Sequence, residues 1–309
     1  MSLARNALLW ISENRTLRQT LPRYKFIRRA VSRFMPGEEL ADAMQAGDKL
    51  KEKKLTVILT RLGENVADAA ETAEVKNHYL GVLQQIQQRG LDAYISIKPT
   101  QLGLDLNEEL CFKNLTAIVE RAAALQNWVW IDMEQSGYVD RTLALYKKVR
   151  KNYPKVGLCV QAYLYRTQKD LEALLPLSPA IRLVKGAYME PANIAYPKKS
   201  DVDANFFALA KMLLANVKKN GVTLGIATHD KILIKKIQEE AEAQGLAKND
   251  YEFQLLYGIQ TDEQFRLAAE GYRMRVLISY GSYWFPWYVR RLAERPANIL
   301  FVLKNLFRS

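Results

Sequence analysis

Six apolar stretches of the sequence each run into groups that are expensive to bury. YISIKPT reaches Lys98, WVWIDME reaches Asp132 and LCVQAY reaches Gln161. IRLVKGAY carries Arg182 and Lys185, GIATHD ends on Thr228 and His229, and YEFQLLYG holds Gln254. One such group alone is commonly a satisfied structural polar. Repetition over six consecutive runs favours a ligand site, because a buried ion needs either a partner or a ligand. The chemistry on offer is cationic and hydrogen-bonding. It suits a phosphorylated cofactor together with a carboxylate substrate.

Other chemistries find little support. No G-x-S-x-G elbow is present, and Cys159 sits in the middle of a run, where it reads as packing. Two cysteines, Cys111 and Cys159, exclude a disulfide scaffold, and with only His78 and His229 beside them no metal site is expected. Asp132 and Glu134 would share a strand face, but the strand is ending there, and no second carboxylate stands across a cleft to complete a glycosidase pair. Near the C-terminus, SYWFPWYVRRLAE sets Arg290 and Arg291 four and three residues before Glu294. Two readings stay open: a surface helix with ordinary ion pairs, or a two-arginine clamp for a carboxylate. Trp284, Phe285, Trp287 and Tyr288 would wall an apolar pocket beside such a clamp.

These groups need elements to position them. Short β-branched runs alternate with helical periodicity after about residue 45. The runs are Leu55–Thr60, Ala93–Lys98, Trp128–Met133, Val156–Gln161, Ile181–Val184, Thr223–Thr228, Tyr251–Leu256 and Arg275–Ser279. Helical stretches between them include Ala67–Arg89, Asn107–Leu125, Val139–Asn152, Asp201–Asn220, Lys231–Gln244 and Glu263–Glu270. The alternation predicts parallel strands joined by right-handed crossovers. Eight units predict an α/β fold, a (β/α)8 TIM-type barrel, with the polar groups gathered at the C-terminal ends of the strands. A doubly wound open sheet is the alternative, but TRLGEN after the first run has a single glycine and no dinucleotide fingerprint. Residues 1–45 are expected to be an N-terminal helical extension broken at Pro22 and Pro36, and 46–309 the cofactor-binding barrel.

Composition bounds the rest. The 309 residues are 49% hydrophobic and 25% charged, with 15 Gly and 10 Pro, which excludes a disordered or collagen-like chain. No uncharged run is long enough to cross a membrane. The net charge is +12, and residues 1–36 hold eight basic residues against Glu13 alone. Nucleic acid, anionic lipid and a merely solvated helix compete for that stretch, which also mimics a mitochondrial transit peptide. No signal-peptide apolar region is evident, so a cytoplasmic location is expected.

Taken in order, LTRLGENV, YISIKPTQLGL, WIDME, CVQAYLYRT, IRLVKGAY, ATHD, FQLLYGI and YVRRLAE resemble the proline dehydrogenase family from about residue 36 to 308. RLVKGAY and the RRL-x-E helix are the most specific of these. The resemblance implies a distorted barrel holding FAD non-covalently. It implies oxidation of L-proline to Δ1-pyrroline-5-carboxylate by hydride transfer to flavin N5, with electrons passed to a membrane quinone. Carried over, Lys98, Arg290 and Arg291 hold the substrate carboxylate, and Leu277 and Trp287 line its pocket. Asp132 and Arg182 are the catalytic pair, with Arg182 near flavin N5. Met133, Gln161, Lys185, Gly186, Ala187, Thr228 and His229 contact the cofactor, and Glu294 ties the last helix to it. A separate pyrroline-5-carboxylate dehydrogenase is an implied partner, since 309 residues leave no room for the fused form of the family. The bilayer acceptor makes an anionic membrane surface, rather than nucleic acid, the expected contact of the basic N-terminus. A peripheral position at the inner membrane follows.

Three positions depart from the family pattern. Leu277 and Trp287 stand where tyrosines are usual, and Met189 stands where an aromatic often follows KGAY. The first two make the substrate pocket more apolar. A hydroxylated or N-alkylated proline is therefore an alternative substrate, and an FAD-binding barrel without turnover an alternative function.

Overall fold

The computed structural model describes residues 31–63 and 66–294, with Asn14 and Thr20; in the last helix the side chains are described through Val289. Eight parallel strands close into a barrel in sequence order. They are β1 (Thr56–Arg61), β2 (Ala93–Ile97), β3 (Val129–Ile131), β4 (Val156–Gln161), β5 (Ala180–Val184), β6 (Thr223–Ala227), β7 (Glu252–Leu256) and β8 (Arg273–Tyr280). β8 returns to pair with β1 from Thr56↔Arg275 to Arg61↔Tyr280. The expected (β/α)8 barrel is the observed fold. Its strands differ from the sequence reading chiefly at their ends, as in β3, where hydrogen bonding regular enough for a strand covers only three residues.

The helices are α1 (Leu40–Glu52), α2 (Ala69–Arg89), α3 (Glu108–Ala124), α4 (Val139–Arg150), α5 (Thr167–Leu174), α6 (Lys199–Asn220), α7 (Lys231–Ala243), α8 (Thr261–Ala269) and α9 (Trp284–Glu294). The starts of α2 and α3 follow from short polar side chains. Asp68 accepts from the amides of Ala70 and Glu71 at 2.8 and 3.0 Å, and Asn107 accepts from Leu110 at 2.9 Å. Gly90 and Gly221 end α2 and α6 in the left-handed conformation. Two helices escaped the sequence reading: α5 is only two turns long, and α1 precedes the first strand.

Strand alternation sorts side chains between two environments. Val57, Leu59, Ile95, Ile97, Leu158, Leu183, Ile226 and Val276 face outward into the main core, with Val82, Leu83, Ile118 and Leu213 from the helices. Each such burial contributes about 1.5–3 kcal/mol. A separate cluster joins Ile58, Trp130 and Ala180, with Tyr94, Trp128 and Leu277 against them. These residues fill the barrel interior. α1 packs on both β1 and β8 and so occupies the outer slot that a helix following β8 would take. That leaves α9 for the mouth. Trp284, Phe285, Trp287, Tyr288 and Val289 of α9 pack with Leu62 and Leu256, at the C-terminal ends of β1 and β7, and with Val31 and Met35. Trp284 Nε1 donates to Glu38 at 3.0 Å, so the chain before α1 is fastened to the helix over the mouth.

Candidate active site

Arg182 is the centre of the site. It points inward from β5 and is 2% exposed. Its Nε donates to Gln254 Oε1 at 2.6 Å, and its Nη1 donates to Ser96 Oγ at 3.0 Å and to Asp132 Oδ1 at 2.9 Å. Ser96 Oγ in turn donates to Asp132 Oδ1 at 2.7 Å. The guanidinium lies 4.8 Å from the centre of the Trp130 ring. Nη2 is buried and has no hydrogen-bond partner among the described residues. A guanidinium held on one face and two edges, with one donor group left over, is built to meet a ligand.

Asp132 keeps only part of its surface in solvent, and one carboxylate oxygen serves both Ser96 and Arg182. Glu134 separates from it. Its carboxylate accepts from the amide of Thr100 at 3.1 Å and from the Thr100 hydroxyl at 2.6 Å, tying the end of β3 to the turn after β2. Lys98 follows β2 directly and is 8% exposed; its carbonyl accepts from the amide of Gln101 at 3.1 Å, but its ammonium makes no hydrogen bond or ion pair among the described residues. An ammonium so enclosed favours an anion beside it. Gln161 Nε2 donates to the carbonyls of Met133 and Glu134 at 3.3 and 3.1 Å, while its Oε1 is buried without a partner among the described residues.

On the β5–β6 side, Lys185 Nζ donates to Asp203 and Asp230 at 2.5 and 3.0 Å. Lys199 joins the same two carboxylates, so the four charges balance. Burial opposes ionisation of Asp230, but hydrogen bonds and charge from Lys185 and Lys199 outweigh it and hold the carboxyl down at about 2. Asp230 also caps α7, accepting from Ile232 at 3.2 Å, and so links the lysine to a helix start. Thr228 Oγ1 accepts from the amide of Asp230 at 3.2 Å. His229 Nε2 accepts from the amide of Leu256 at 2.9 Å, which requires that nitrogen to be unprotonated. Gly186 has φ +110°, and a Cβ there would lie 2.2 Å from the Tyr163 ring. Glycine is therefore demanded by Tyr163 whatever else approaches; Ala187 follows it in the same loop.

Leu277 lies in the interior cluster with Trp130, and Trp287 lies in the α9 cluster with Val31 and Met35. The two pocket positions thus sit in different apolar groups. The side chains of Arg290, Arg291 and Glu294 are outside the described residues, although their helix is described. Ser96 and Trp130 were not singled out in the sequence. Their signal was the inward period of two, Tyr94–Ser96–Lys98 and Trp130–Asp132. Burial lifts the Cys159 thiol to about 12, which leaves it no nucleophilic role. No group of three His, Cys, Asp or Glu residues able to hold a metal occurs among the described residues.

The fold and this cationic mouth define a (β/α)8 barrel of the kind that works at its C-terminal face. The chain belongs to the proline dehydrogenase family, whose family model, described as proline dehydrogenase, matches residues 43–304. Proline dehydrogenase 1 of Bacillus subtilis strain 168 is 37% identical over 99% of this chain and 100% of its own. Proline dehydrogenase of Deinococcus radiodurans is 35% identical over 99% of both chains. Among solved structures, proline utilization A (PutA) from Bdellovibrio bacteriovorus, inactivated by N-propargylglycine, superposes with a TM-score of 0.82 at 24% identity. That match covers 94% of this chain and 36% of the PutA chain, and it shows the shared fold.

Proposed function

We propose that the protein oxidises L-proline to Δ1-pyrroline-5-carboxylate, with FAD as hydride acceptor and a quinone as the onward acceptor. The observation that carries the reading is the pair of buried cations at one end of the barrel. Among the described residues, Arg182 keeps a buried Nη2 without a partner, and the Lys98 ammonium makes no ion pair. Full-length relatives named proline dehydrogenase support the choice of substrate.

The residues fit a flavin. Gln161 Oε1 and Arg182 Nη2 are buried polar atoms awaiting partners. Thr228 and His229 stand just before α7, whose first amides Asp230 already caps, so a diphosphate there would be met by these two side chains and not by the helix start. Met133, Lys185, Gly186, Ala187 and Glu294 complete the expected contacts, with Lys185 acting as the hub of an ion cluster more than as a free cation. When bound, FAD supplies the two-electron acceptor.

The chain's own residues then bind and orient. Lys98 with Arg290 and Arg291 holds the substrate carboxylate in the bidentate manner guanidinium groups favour. Arg182, braced by Asp132, supplies a fixed positive dipole where negative charge develops on the acceptor. The substrate loses a hydride from the ring carbon beside nitrogen, the nitrogen lone pair closes the C=N bond, and its proton passes to water. The apolar Leu277 and Trp287 favour a second reading, an alkylated or hydroxylated proline as the better substrate.

The experiment is Arg291→Ala. The purified variant should keep its flavin colour and lose reduction by L-proline; normal reduction would remove Arg291 from the carboxylate clamp. The basic N-terminus is assigned to anionic membrane surface near the quinone. Among the described residues, no helix is long and apolar enough to cross a membrane. The product would pass to a pyrroline-5-carboxylate dehydrogenase.

A further inference from the structure

A chain of hydrogen bonds runs down the barrel interior beneath Arg182. Gln254 Oε1 accepts from Arg182 Nε at 2.6 Å, and Gln254 Nε2 donates to Glu252 Oε1 at 2.5 Å. Glu252 Oε2 accepts from Arg275 Nε at 3.2 Å, and Arg275 Nη1 reaches Asp92 Oδ1 at 3.0 Å. Glu252, Gln254 and Arg275 are all buried, and Arg275 lies 3.5 Å over the Tyr94 ring. Asp92 precedes β2, at the end of the barrel opposite the mouth. The interior therefore carries two ion pairs, Asp132–Arg182 above and Glu252–Arg275 below, joined by one neutral amide.

The chemistry of the groups dictates the direction of that amide. An ionised carboxylate only accepts, so the NH2 of Gln254 must face Glu252. A guanidinium only donates, so the oxygen of Gln254 must face Arg182. The two demands agree, and a flipped amide would set two donors against each other. The backbone is shaped to allow this. Gly225 is paired with Arg182 across β5 and β6, and a Cβ at Gly225 would fall 2.5 Å from Gln254 Nε2.

We infer that Gln254, oriented by Glu252, is a positioning residue: it fixes the Nε edge of Arg182 so that Nη2 alone stays free for the ligand. The inference rests on the reading that Arg182 meets the flavin–substrate pair. Asp132 and Ser96 grip Nη1 only, and the Trp130 ring can slide under a rotated guanidinium. Without the Gln254 oxygen the group can turn in its plane. The cost falls on the reacting centre, because the substrate carboxylate is held elsewhere.

The test compares the flavin-loaded native protein with Gln254→Met, which removes both polar ends, and Gln254→Glu, which keeps an oxygen for Arg182. Two quantities are read: kcat and KM for L-proline against pH, and solvent exchange of the Arg182 Nε–H by 15N NMR, assigned through its loss in Arg182→Lys. In Gln254→Met, kcat should fall about 10- to 100-fold, the scale of a misplaced catalytic group, with KM within about threefold, and Nε–H protection should be lost. Gln254→Glu should retain protection and regain turnover as pH falls, since a proton shared with Glu252 restores the donor. Native kcat in folded Gln254→Met, or persistent Nε–H protection there, would overturn the inference. So would a Gln254→Glu pH profile identical to the native one. If the native protein does not oxidise proline, yet its Nε–H is protected and Gln254→Met loses that protection, the positioning stands and the substrate assignment fails.

Discussion

Arg182 shows how a cation is kept in an apolar barrel without being neutralised outright. Asp132 supplies one negative charge, Gln254 and Ser96 supply oriented dipoles, and Trp130 covers one face. Lysine at this position offers no planar fork and cannot meet all three oxygens. Arg182→Lys should therefore lower kcat by at least about 100-fold while the visible flavin spectrum persists. Turnover within a few-fold of native would show that charge alone suffices. Leu277 is the second informative residue. It packs beside Trp130 in the interior cluster. A phenol there adds a donor but also volume in a filled space. Leu277→Tyr combined with Trp287→Tyr should raise turnover of L-proline relative to bulkier prolines. Unchanged or lower turnover would remove Leu277 and Trp287 as grounds for an alkylated or hydroxylated proline as the better substrate.

At the scale of elements, the site depends on small residues that make room for large ones. Gly225→Ala on β6 should drive its methyl into the Gln254 amide and reproduce part of the Gln254→Met defect in kcat. Thermal unfolding distinguishes this from a general loss of stability. Sequence alone located the eight strands and the polar groups at their ends, because alternating apolar runs and uncompensated charges are local signals. It did not reveal α1 in the ring, because which helix fills a slot depends on the closure of β8 onto β1. Nor did it reveal the pairing of Lys185 with Asp203 and Asp230, which joins residues 18 and 45 positions away. The Gln254–Arg182 link was hidden for the same reason. Gln254 was visible as a strand-end polar residue, and Glu252 lies two residues before it on the same strand, but Arg182 is on β5, 72 positions away.

The whole molecule adds pH and charge. Burial, then the charge of Arg61, lowers His78 from 6.5 to about 4, and the ring contacts Tyr280 Oη at 2.7 Å. The unfolded chain takes up this proton first. The contribution is complete above about pH 6.5 and is lost as pH falls through 6.5 toward 4. Asp230 acts with the same sign lower down: its contribution is present above 3.8 and lost as pH falls through about 2. The melting temperature should drop between pH 6.5 and 4, less steeply in His78→Gln; an equal slope would place the titration elsewhere. Of the eight basic residues in the first 36, only Arg33 lies among the described residues. Removing residues 1–30 should weaken binding to anionic vesicles, with the steep salt dependence of a surface contact. Unaltered binding would leave that charge as a solvated face. The central claim, that buried cations at the mouth serve proline oxidation on a flavin, is tested most directly by the visible spectrum of the purified protein titrated anaerobically with L-proline. A flavin band that is present at the start and bleaches to completion is the predicted result. A colourless protein, or a band that L-proline leaves unchanged, would contradict it.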